Sequence, residues 1–240
     1  MTGGVARTTV CSMTLSPVCP RCGEVLVVRP GETAEAWCHL HAAVTPLHHA
    51  PVLAHDDLAA VCADARVPAW VPDPMPAGWS VGGVAWGGEP GARAIVVNCT
   101  GPGPLGGTAE LLLVAEEPGT GLGSGYAGLP WLDPGELVGG APVAAVRAAG
   151  QRAALWDVPT SDDRAAFVGE AFGVWLWLIT WPSSGAWLLA EDLDLLDLRD
   201  RLYPDLPLGP PGDHLIPGAL PVDPDTGPGA EDADPAAPGA

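Results

Sequence analysis

Two short pairs of metal-ligand residues, Cys19-Pro-Arg-Cys22 and Cys38-His-Leu-His41, restrict this chain more than anything else in its 240 residues. A Cys-x-x-Cys knuckle followed by Cys-x-x-His sets four soft or borderline donors around one ion, the tetrahedral preference of zinc. The 15 residues between Cys22 and Cys38 suit a ribbon, and EVLVVR, Pro-Gly-Glu and TAEAW between them read as a hairpin. Chance thiols are the competing reading. His39, His48 and His49 are alternative fourth ligands, and His41 is preferred because its spacing repeats the first knuckle. Four protein ligands close the shell and leave no position for water, so the expected Zn2+ is structural. Cys11 is left as a surplus thiol.

Charge narrows the partners. The chain has 10 basic against 29 acidic residues, a net charge of −19, and all its basic side chains are arginine. A broad nucleic-acid surface needs clustered cations to neutralise phosphates, so nucleic acid is excluded as the expected partner. The acidic balance suits solubility, a basic partner or a cation. Four cysteines precede residue 39, and Cys62 and Cys99 stand alone, which is not the even framework of a disulfide-rich secreted domain. The stretch after Arg7 is too polar for a signal peptide, and Met13 offers a second start, MTLSPVCPRCG. The expected location is the cytoplasm.

Residues 171–190 run without a charge and imitate a membrane span. Pro182-Ser-Ser-Gly185 is a turn signal inside that run, and acidic residues flank it, so two short buried strands are expected and no span.

Residues 1–18 are read as a flexible N-terminus, 19–41 as the ribbon, 42–55 as a His-rich linker, 56–203 as an α+β domain and 204–240 as a disordered acidic, Pro-rich tail. Asp56 or Asp57 can cap a helix whose apolar face is Leu58, Val61, Cys62 and Ala65 before Pro68 ends it. Strands are expected near 80–86, 93–99, 108–116, 143–148, 153–158, 165–170, 174–181 and 187–190. EDLDLLDLRDRL is ambiguous: Leu193 and Leu195 suit a strand, while Leu195, Leu198 and Leu202 suit the helix that is preferred. The fold class is α+β: a zinc ribbon, then a mostly antiparallel sheet with one or two helices.

Gly101-Pro-Gly103-Pro-Leu-Gly106 matches a dinucleotide fingerprint after a strand. Pro102 and Pro104 lack the N–H groups a phosphate cradle uses, and the residues that follow suit a strand as well as a helix. Asp192, Asp194 and Asp197 are spaced for a cation but fit a solvated acidic edge, and Asp223 and Asp225 lack the later ligands of a calcium loop. Ser183, Ser184 and Cys99 are the visible nucleophiles, yet no histidine or lysine lies between Asp56 and Asp213 to activate them. Most of the ten tryptophans are expected in the core, with Trp70 and Trp79 framing a partner groove.

The ribbon, the VPAW and P-x-GW segments, CTGPGPLGG, SDDRAAFVGEAFGVWLWLITWPSSG and LDLRD resemble a family of uncharacterised actinobacterial proteins over residues 15–202. The resemblance implies a fold and a high-GC setting, and supplies no catalytic residue. The expected function is a cytoplasmic, non-enzymatic interaction or regulatory module that meets an unidentified protein partner. The rival is a small-ligand enzyme binding a phosphate, nucleotide or acyl phosphate at Gly101, Gly103 and Gly106.

Overall fold

The computed structural model describes residues 16–26, 36–52, 54–88, 91–130, 133–190, 192–200 and 205–217. Its strands in chain order are β1 (Ala36–Cys38), β2 (Ala42–Val44), β3 (Leu47–Pro51), β4 (Trp70–Pro72), β5 (Ser80–Gly87), β6 (Ala94–Pro102), β7 (Thr108–Glu116), β8 (Ala144–Ala148), β9 (Gln151–Val158), β10 (Ala165–Ala171), β11 (Val174–Trp181) and β12 (Asp194–Asp197). Helices are few: α1 (His55–Cys62), α2 (Leu122–Ala127) and two short 3-10 turns. β1 and β2 form a small hairpin, and the other ten strands make one sheet in the order β3-β5-β6-β7-β11-β10-β9-β8-β12-β4. Every pairing is antiparallel except β12 with β8.

The central strands read as continuous apolar runs because both faces of the sheet are covered. Ile95, Val97, Leu111, Leu113, Leu176 and Leu178 enter one core with Leu58 of α1 and with Trp70 and Val71 of β4. The alternate residues Val96, Leu112, Val114, Trp177 and Ile179 enter a second core with Leu122 and Tyr126 of α2. Period-two alternation thus feeds two layers from one strand. The sheet coils so that its β4 edge packs against β6 and β7, burying Trp70 and Trp79. That burial removes the partner groove expected of those tryptophans. β8–β9 and β10–β11 turn in two residues, Ala149-Gly150 and Phe172-Gly173, all four at positive φ as tight hairpins require.

Several expected elements differ. Residues 42–55 are not a bare linker: β3 pairs with β5 along the sheet edge, and Val18 bridges Leu47. β12 replaces the helix expected in EDLDLLDLRDRL, because its backbone pairs with β4 and β8. Residues 183–189 are 3-10 helix where the strand at 187–190 was expected. Residues 205–217 lie on the sheet instead of opening a disordered tail; residues 218–240, residues 1–15 with Cys11, and residues 27–35 of the expected ribbon hairpin fall outside the described residues. Among the described residues no helix is long and apolar enough to cross a membrane, which says nothing of a β-barrel.

Candidate metal centre

The first knuckle is a tight turn. Gly23 N–H donates to the Cys19 carbonyl and Cys19 N–H to the Glu24 carbonyl, with Gly23 at φ +69. The second repeats it on β1 and β2, where Cys38 faces Ala42 across the hairpin and Ala42 stands at φ 59. Each ligand pair is therefore followed by a left-handed residue that folds the chain back.

The two turns bring Cys19, Cys22, Cys38 and His41 together, with ligand atoms all within 4.8 Å of one another. Cys22 and Cys38 Sγ lie 3.7 Å apart, and His41 Nδ1 lies 3.6 Å from Cys19 Sγ and 3.7 Å from Cys38 Sγ. A tetrahedron with metal–sulfur bonds of about 2.3 Å and a metal–nitrogen bond of about 2.05 Å has edges of about 3.8 Å (S···S) and about 3.6 Å (S···N). These three separations match those edges, and the Cys22 and Cys38 sulfurs are far beyond disulfide distance. The cluster is geometrically compatible with a metal ion. Burial, and then the charges of Arg21 and His39, hold His41 below its ordinary pKa, so the ring is neutral and able to ligate. Burial pushes the Cys22 thiol up to about 12. Burial also acts to raise Cys38, but the backbone N–H groups of Leu40 and His41 outweigh it and hold that thiol below its usual value. His48 stacks on Trp86 and His49 is buried in β3, so neither joins the cluster.

The cluster is fixed to the sheet domain. Arg21 Nη2 donates to the Pro130 carbonyl at 2.7 Å, and a Cβ on Gly23 would overlap the Pro217 carbonyl oxygen.

The other candidates are used structurally. Gly101 and Pro102 end β6 and pair with Ala109 and Thr108, so Gly101, Gly103 and Gly106 belong to a β-hairpin loop, and a strand follows where a phosphate site needs a helix. The helix that a dinucleotide fingerprint requires after the loop is replaced by β7. Asp192 and Asp194 pair with Arg147, while Asp197 pairs with Arg199 and accepts from Ala69 N–H. Cys99 is fully buried, and burial pushes its thiol up to about 12.

One cluster was not foreseen. Glu110 of β7 meets His214, a histidine inside the segment read as tail. Leu206, Leu208, Leu215 and Ile216 were the available signal, since an apolar set of that kind is missing from the more acidic residues beyond it.

Residues 13–215 match a family described as a family of unknown function, DUF6758. The chain belongs to the DUF6758 family. The residues matched take in both knuckles and end within the 205–217 segment of this DUF6758 protein. No curated protein and no solved structure matches the chain.

Proposed function

We propose that this DUF6758 protein holds one zinc ion in a closed structural site and works as a cytoplasmic, non-enzymatic interaction or regulatory module whose ribbon meets a protein partner. The observation that carries the reading is the four-donor cluster, three of whose separations have tetrahedral length: three sulfurs and one imidazole are a donor set zinc favours, and four such ligands would leave no place for a reacting water. The ion would supply folding energy to a segment with little core of its own, since among the described residues its buried cluster is Cys19, Leu26, Ala36, Cys38 and Val44. Around that cluster Val25, Trp37 and Leu40 stand 63%, 68% and 59% exposed, an apolar set of the kind partners cover. The free thiols of the described cysteines suit a reducing compartment.

Metal analysis of the purified native chain tests the first half: about one zinc per chain is expected, and a metal-free native protein overturns it. The second half is tested by affinity capture with the wild type and with Trp37→Ala/Leu40→Ala. A partner held by the wild type and lost by the double variant at unchanged zinc content supports the reading; partners held equally by both remove the ribbon as the contact surface.

A further inference from the structure

Glu110 is 7% exposed at the sheet surface beneath residues 205–217. It accepts from Asn98 Nδ2 at 3.1 Å and from the backbone N–H groups of Asp213 and His214 at 2.9 and 3.2 Å. Burial acts to raise its carboxyl, but the bonds from the His214 ring and backbone outweigh this and hold it below the ordinary carboxylate range. A carboxylate only accepts, so the His214 Nδ1 at 3.0 Å is the donor, and in the Nδ1–H tautomer the lone pair lies on Nε2. The same ring lies flat on Trp181, centroids 4.4 Å apart at 10°. Arg164 covers Trp181 at 5.2 Å.

Anchoring the segment does not require this much. The two backbone bonds to Glu110, with Gly212 N–H on Asn98 Oδ1 at 2.8 Å, already do that. The ring is nonetheless fixed both at its edge and on its face. Its side chain is 38% exposed, it lines a cleft of about 560 Å³, and among the described residues Nε2 has no partner.

We propose that this cleft is a second functional site, which binds an organic cation bearing N–H groups, a guanidinium or an ammonium, with His214 Nε2 as its acceptor. The lining decides the charge. Thr100, Thr108, Asp163 and Asp213 add acceptors, and among the described residues the one cation beside them is spent: Arg164 places Nε and Nη2 on Asp163 and Nη1 on the Tyr126 carbonyl. Asp213 is exposed, with no cation paired to it among the described residues. A phosphate or carboxylate entering here would meet like charge, whereas a guanidinium would meet acceptors and the exposed part of the His214 ring.

NMR of the full, metal-loaded chain tests this. Nitrogen shifts of His214 report the tautomer, and Nδ1–H is expected; an Nε2–H ring overturns the proposal. The chain is then titrated with N-acetyl-arginine methylamide, with its neutral citrulline counterpart and with N-acetyl-glutamate methylamide. Arginine should move the His214 and Trp181 resonances saturably, citrulline should bind at least about tenfold more weakly, and glutamate should not bind. Asp213→Asn, which touches only an exposed carboxylate, should weaken arginine by about threefold to fivefold. Blocked lysine behaving like arginine supports a general cation site. A response equal for arginine and citrulline, or no saturable response, overturns it.

Discussion

Ala42 holds a left-handed backbone, φ 59, at the position that Gly23 occupies in the first knuckle at φ +69. A residue with a Cβ pays about 1–2 kcal/mol for that conformation, and the site is exposed, so nothing else is gained from the methyl. Glycine brings back about 0.4–1 kcal/mol of unfolded-state entropy. Ala42→Gly should therefore stabilise the chain by about 0.5–1 kcal/mol in urea melts, and a destabilised variant would show that the knuckle turn is set by something besides backbone strain. Glu116 offers a pH test. It is fully buried between Leu122 N–H (2.6 Å), Gly123 N–H (3.2 Å) and Trp177 Nε1–H (2.8 Å), yet burial pushes its carboxyl up to about 7 against those donors. From its ordinary value of 4.5 up to about 7 the folded state binds the proton that the unfolded state has lost, so stability falls as pH rises through that window. The full effect is on the order of 3 kcal/mol. Glu116→Gln should flatten that slope, and parallel wild-type and variant profiles between pH 4.5 and 7 would refute the assignment.

At the scale of elements, the first knuckle is tied to the sheet domain, because Gly23 rests on Pro217 and Arg21 on Pro130. Cys38→Ser should lose the metal, raise amide exchange in β1, β2 and residues 215–217, and leave β6 and β7 protected; protection retained in β1 and β2 would mean that the hairpin does not depend on the cluster. β7 at Thr108–Glu116 and β11 at Val174–Trp181 were legible in the sequence to the residue, since their apolar runs are bounded by Gly and Pro. The four cluster residues were legible too, because knuckle spacing is local. β12 was not. Its inward positions are Leu195 and Asp197, after the buried Leu193 that precedes it, and the buried carboxylate, spent on Arg199 and Ala69 N–H, breaks the apolar alternation that would have announced a strand. β3 was hidden for another reason: Leu47–Pro51 becomes a strand only through pairing with β5, more than thirty residues on. The His214 cleft needs the same kind of long-range information, 104 positions from Glu110.

On the scale of the whole molecule, residues 205–217 are a structural strand-like strap, and their removal is the sharpest test of how the chain is closed. Val81 N–H donates to the Pro207 carbonyl and Gly209 N–H to the Val81 carbonyl, extending the sheet over β5. A Cβ on Gly82 would overlap the Pro210 carbonyl oxygen, so β5 is shaped for this contact. Leu206 and Leu215 are buried, and Tyr126 Oη donates to the Leu215 carbonyl at 2.5 Å. Losing two buried leucines costs about 1.5–3 kcal/mol each. Glu110, left with Asn98 alone, adds about 1–3 kcal/mol for a buried group stripped of partners. The sum is near 5 kcal/mol or above, a large share of the roughly 5–15 kcal/mol that holds a domain together. Truncation after residue 204 should lower Tm by about 10–20 °C or prevent cooperative folding. Truncation after residue 217 removes only the Pro-rich acidic residues that composition marks as unable to build a core, and should leave Tm within a few degrees. If both truncations melt like the full chain, the strap is an ornament on a sheet that closes without it, and the cleft around His214 loses its frame.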